Sequence, residues 1–187
     1  MRDRLIILAG FLLLVSVVMV GPVAAATANA PSAVLGNVKV AVSLALVNST
    51  IYLDLDPAAS PAQNTSLALI ASSNQQPFTI TVNDNTGRIV AEQGFMGNYT
   101  SGAYGPVVNT TLASSIGLSG TTNASTTAVA ITPPITSTPV NFYTATAKVT
   151  NQYLMPNTFT QAVAVADPVL PTNSVYRIDL QFTISAT

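Results

Sequence analysis

The chain has 187 residues, of which 49% are hydrophobic and only 7% charged, with a formal net charge of −1 and no histidine, cysteine or tryptophan. Ordinary globular proteins carry about 25% charged residues, and holding a polyanion requires clustered cations, so nucleic acid is excluded as a partner. Without histidine or cysteine there is no Ser-His-Asp or Cys-His nucleophilic set, none of the usual zinc-ligand sets and no disulfide.

The N-terminus comes first in chain order. Arg2 and Arg4 precede an apolar run of 16 residues, Leu5 to Val20, followed by Gly21, Pro22 and the small residues Val23 to Ala28. This layout predicts a secretory signal peptide over 1–26, cut after Ala26 with Ala28 as the next-best position. The rival reading is an uncleaved anchor, for which the run is short of the roughly 20 residues that span a bilayer. Removing 26 of the 187 residues leaves 161, read as a flexible segment, 27–37, and one domain, 38–187. The mature chain keeps four basic residues (Lys39, Arg88, Lys148, Arg177) against six acidic ones (Asp54, Asp56, Asp84, Glu92, Asp167, Asp179), a net charge of −2. The expectation is a secreted protein at the cell surface with no membrane contact after cleavage. Its Thr-rich, weakly charged surface favours self-association. Export without disulfides leans prokaryotic.

After the leader the apolar period is two rather than helical. Val38, Val40, Val42, Leu44 and Leu46 alternate with polar or small residues, and Ile51, Leu53 and Leu55 alternate with Tyr52, Asp54 and Asp56. Further strands are predicted over 66–71 and 78–82. The turn Asn83 to Gly87 then joins Phe78–Val82 to Arg88–Phe95 as a hairpin. Long loops are expected over 94–120, with a strand near 106–112 and one helical turn over 112–118. Strands follow at 128–132 and 141–150, and another through Phe159, Gln161, Val163 and Val165. The last strand, 175–185, turns Tyr176, Ile178, Leu180, Phe182 and Ile184 inward and Arg177, Asp179, Gln181 and Thr183 outward. Nine or ten short strands with turn signals between them predict an all-β, antiparallel β-sandwich of jelly-roll or immunoglobulin-like type. No fixed-period repeat suggests a solenoid or propeller.

The chemistry is sparse, and no enzyme activity, cofactor or metal is expected. A Ser–Lys dyad through Lys39 or Lys148 is formally open, but both lie on polar strand faces. Asp54 and Asp56 share a strand face and read as a solvated edge, or else as calcium oxygens. Asn83, Asp84 and Asn85 carry the same two readings. Asn48, Asn64, Asn98, Asn109 and Asn123 head Asn-x-Ser/Thr triplets, the acceptor pattern for N-glycans in an exported chain, and otherwise are plain loop asparagines. Tyr99, Tyr104, Tyr143 and Tyr153 are candidates for stacking on sugars or for packing at a sheet rim.

A leader, a small-residue segment over 27–37, a cleanly alternating strand over Val38–Leu46 and a low-charge sandwich ending on an amphipathic strand form a layout. That layout resembles prokaryotic extracellular fibre subunits of the donor-strand type, the archaeal threads and bundling pili and the TasA-like biofilm matrix fibres. The resemblance implies a homopolymer built head to tail, in which Val38, Val40, Val42, Leu44 and Leu46 form the strand donated to the next copy. The alternative for the same residues is pairing within their own sheet. Two other functions fit a secreted sandwich: a carbohydrate- or cell-wall-binding module, and a surface-layer or sheath protein that assembles laterally.

Overall fold

Residues 38–105, 111–131 and 133–186 are described by the computed structural model. The predicted signal peptide 1–26, the segment 27–37 and Asn109 lie outside them. The chain divides into two units, Met1–Val38 and Lys39–Thr187, and every strand described below belongs to the second.

Period-two alternation gives each strand one apolar face, which must be buried against another sheet. Among the described residues twelve strands do this: β1 (Val42–Leu46), β2 (Ala62–Ser73), β3 (Phe78–Asp84), β4 (Phe95–Thr100), β5 (Ala103–Tyr104), β6 (Thr111–Ser115), β7 (Gly117–Ser119), β8 (Thr126–Ala128), β9 (Val140–Ala145), β10 (Val149–Gln161), β11 (Ser174–Arg177) and β12 (Leu180–Ala186). They form three antiparallel sheets: β1-β2-β10-β7, β12-β3-β9-β8, and β11-β4-β5 with β6 also on β4. The architecture is the predicted all-β sandwich, with more strands than the nine or ten expected.

One core draws on all three sheets. Leu67, Leu69 and Ala71 of β2 and Leu154 and Phe159 of β10, from one sheet, share the core with Phe78, Ile80 and Val82 of β3 and Phe142 and Tyr143 of β9, from the second, and with Met96 of β4 and Leu112 of β6, from the third. Phe142 and Tyr143 are neighbours in sequence and both fully buried, which strict alternation forbids. A bulge explains it: the β3–β9 register slips between Ile80 and Thr81, so one extra β9 residue turns inward. The Tyr143 hydroxyl donates to Asn157 Oδ1 at 2.6 Å, and Asn157 Nδ2 donates to the carbonyls of Leu154 (2.8 Å) and Leu67 (3.2 Å). The buried amide is thereby satisfied, as it must be away from water, and it holds β10 through its own register slips on either side of Asn157.

Several expectations are corrected. Arg88–Phe95 does not form a hairpin with β3, because β12 and β9 already occupy both edges of β3. The buried Asp84 closes the intervening loop instead, its carboxylate accepting from the Thr86 and Gly94 amides at 2.7 Å each. The segment 112–118 is not helical: β6 pairs with β4 and β7 with β10, the chain changing sheets at buried Ile116. The strand through Phe159 ends at Gln161, and Val163 and Val165 lie in the following loop, where Asp167 turns the chain by accepting from Ala164 N at 2.7 Å and Ala113 N at 2.8 Å. The last strand is divided, β11 pairing with β4 and β12 with β3. Its facing holds throughout: Tyr176, Ile178, Leu180, Phe182 and Ile184 pack against the core.

Candidate functional site

β1 is the edge strand of its sheet, paired antiparallel to β2 from Val42 opposite Ser73 to Leu46 opposite Leu69. Val38 and Val40 precede it, so the strand is shorter than the run 38–46 anticipated. Its side chains are poorly covered: Val42 and Leu46 are each 39% exposed and Val40 57%, while Leu44 alone packs against the core. Among the described residues its outer edge has no strand partner, and an open edge is a template for another strand.

The chain then runs through 50–56 without becoming a strand. The alternation is kept, with Ile51, Leu53 and Leu55 half-buried and Tyr52, Asp54 and Asp56 exposed. What is missing is a ladder: among the described residues its tie to the sheet is Asn64 Nδ2, which donates to Tyr52 O at 2.8 Å. Asp56 caps the short 3₁₀ turn Pro57–Ala59 by accepting from Ala58 N.

Between this stretch and the β11–β12 run lies an apolar groove of about 690 Å³. Buried Leu67, Met96, Ile116 and Phe159 line it most deeply, with half-buried Ile51, Leu53 and Leu55 on one flank and Tyr176, Ile178, Leu180 and Phe182 on the other. A second hollow of about 280 Å³ shares Leu55, Val175 and Tyr176 and extends it towards Val163 and Val169. The charges at the groove's border, Arg177 and Asp179, pair with one another at 2.7 Å. An engineered apolar cavity of about 150 Å³ stays dry, and this one is several times larger and open. The half-buried aliphatic side chains there forgo part of the roughly 1.5–3 kcal/mol that full burial would contribute.

The other candidates fall elsewhere. Tyr99 and Tyr104 meet edge to face at 73°, with the Arg177 guanidinium over Tyr99 at 4.3 Å and that of Arg88 over Tyr104 at 4.8 Å, so they present no flat platform to a sugar. The Tyr104 hydroxyl donates to Asp179 at 2.7 Å, and burial together with that carboxylate pushes its ionisation well above the ordinary tyrosine range. Burial also raises that of Tyr143, whose ring is in the core, whereas Tyr153 is 56% exposed. Asn48 follows β1 and donates to Ser66 O at 2.6 Å. Asn64 and Asn98 sit in strands, their Oδ1 atoms accepting from the hydroxyls of Ser66 (2.6 Å) and Thr100 (2.9 Å) two residues on, and Asn123 caps the turn into β8. Lys39 and Lys148 are exposed, and among the described residues no three His, Cys, Asp or Glu side chains cluster. No helix there is long and apolar enough to cross a membrane.

The groove was not legible in the sequence, because its lining comes from segments far apart in the chain. The one signal that bears on it is Ile51–Leu55, whose alternation marks an inward face. No family model, curated protein or solved structure matches the chain.

Proposed function

We propose that this chain is a structural subunit of an extracellular filament or cell-surface assembly, polymerising head to tail as Val38–Leu46 of one copy fills the groove of the next. The observation that carries the reading is the groove: an apolar trench bordered by a stretch that lacks a ladder partner among the described residues and by the edge strands β11 and β12. A strand laid there would gain both backbone partners and side-chain pockets. The proposed donor matches it in chemistry. Its apolar side chains alternate, and its one charge, Lys39, has Asp54 and Asp56 on the bordering stretch as complements. Addition that does not close into a ring gives a filament. N-glycans at Asn48, Asn64, Asn98, Asn109 and Asn123 belong to the same proposal.

Negative-stain microscopy of the purified exported protein tests it, with filaments expected. Deleting Thr27–Val47 should abolish them and leave a folded domain that binds a Val38–Leu46 peptide and melts higher with it. A sharper variant is Val42→Pro. In β1, Ala41 and Val47 donate towards β2, so by antiparallel alternation the Val42 N–H faces the open edge. Proline there spares the home ladder and removes a donor from the outer one. Filaments from the truncated protein, or monomers carrying a small apolar ligand in the groove, would overturn the reading.

A further inference from the structure

The register of β1 against β2 ends at Val42 opposite Ser73. Beyond it the pairing is continued by a side chain. Asn74 N donates to Ala41 O at 3.2 Å, Asn74 Oδ1 accepts from Ala41 N at 2.8 Å, and Asn74 Nδ2 donates to Lys39 O at 2.8 Å. A carboxamide carries one acceptor and two donors in nearly the arrangement of a peptide group, so Asn74 imitates the next stretch of β2. It has to, because the chain leaves the sheet at Gln75 and Pro77 to enter β3.

Its position matters because of how little else holds this end. Val40 is more than half exposed and Val42 partly so, and the only β1 side chain packed on the core is Leu44. Side-chain burial therefore contributes little at Lys39–Val42, and hydrogen bonds hold the strand there. A ladder frays from its ends, and β1 itself must come off β2 if Val38–Leu46 is donated, so its N-terminal end is where release begins.

We infer that Asn74 is a latch: it keeps the N-terminal strand docked on its own sheet, and its release sets the rate at which that strand becomes available to a second copy. The second half rests on the assembly reading above, and the first does not. Asn74 is thus a positioning residue, acting through the backbone of Lys39 and Ala41.

The test is amide hydrogen exchange on the exported protein before assembly, beside the rate of filament growth. For Asn74→Ala the expected result is about tenfold faster exchange at Ala41 and through β1, the loss of one to two hydrogen bonds, with β3 and β9 amides unchanged and filaments appearing several-fold sooner. Asn74→Asp retains the acceptor for Ala41 N but not the donor to Lys39 O, and should fall between wild type and Asn74→Ala; it also serves if the alanine variant folds poorly. Unchanged exchange at Ala41 and β1 overturns the latch. Faster exchange with an unchanged filament rate overturns its role in release. Faster exchange when neither protein forms filaments supports the latch and rejects the assembly reading.

Discussion

Phe78–Val82 and Ile51–Leu55 carry the same sequence pattern, three apolar residues spaced by two with polar ones between, yet they end in opposite circumstances. The first lies in β3 between β12 and β9, with Phe78, Ile80 and Val82 no more than 1% exposed. The second has the same inward face, half-covered, and among the described residues no ladder on either side. Alternation reports which side chains face the core. It does not report whether a neighbouring strand exists to take the backbone groups. In β3 packing and hydrogen bonding coincide, and at 51–55 they are separated, which is why that stretch borders a groove rather than closing one.

The largest contrast should come from a carboxylate placed in each region. Ile80→Asp puts an unpaired charge at a fully buried site and costs several kcal/mol, enough to unfold a domain of ordinary stability, about 5–15 kcal/mol. Leu53→Asp should leave the circular dichroism spectrum and cooperative melt in place while removing filaments. If both variants unfold alike, the stretch 51–55 belongs to the core as fully as β3 does.

Tyr143→Phe probes the polar links of the core. It removes the donor to Asn157 Oδ1 and the acceptor of the Thr121 N–H and should cost about 1–3 kcal/mol, chiefly by leaving a buried acceptor unpaired, read as a fall in Tm with no change in assembly.

High pH sharpens the comparison by charge. Tyr104, Tyr143 and Tyr176 all ionise above their ordinary value in the folded protein, with burial as the leading cause. Unfolded tyrosines lose their protons near pH 10, so above that the unfolded chain binds fewer protons than the folded one and stability falls as pH rises. Tm should be level from pH 8 to about 9.5 and decline beyond it, with a shallower decline in Tyr104→Phe. An unchanged slope in that variant would remove Tyr104 from the account.

The smallest effect is expected at Gln181→Asp, on the exposed side of β12, where surface substitutions usually stay within about 0.5 kcal/mol. Leu180→Asp, one residue earlier and facing the groove, should lower both Tm and filament yield. Equal melts for the two would reverse the facing assigned to β12.

The sequence by itself determined the sandwich class, the inward face of Phe78–Val82 and the inward set from Tyr176 to Ile184, because a period of two is local information and burial of an apolar face is forced wherever the chain extends. Of the turn expected over Asn83–Gly87, Asn83 and Asp84 instead continue β3, and Gly87 takes φ +71° in the loop beyond it. Ladder partners were decided only by tertiary structure. Arg88–Phe95 had no free edge of β3 to join, and 112–118 was drawn into two sheets at Ile116. The β9 bulge put Phe142 and Tyr143 both inside, and the groove was left between elements more than a hundred residues apart. Hydrogen-bond partners are set by which edges remain open after every other strand has packed, and no single segment encodes that. The Asn74 side chain, taking the place of a strand that has turned away, is legible only once Lys39 and Ala41 lie beside it.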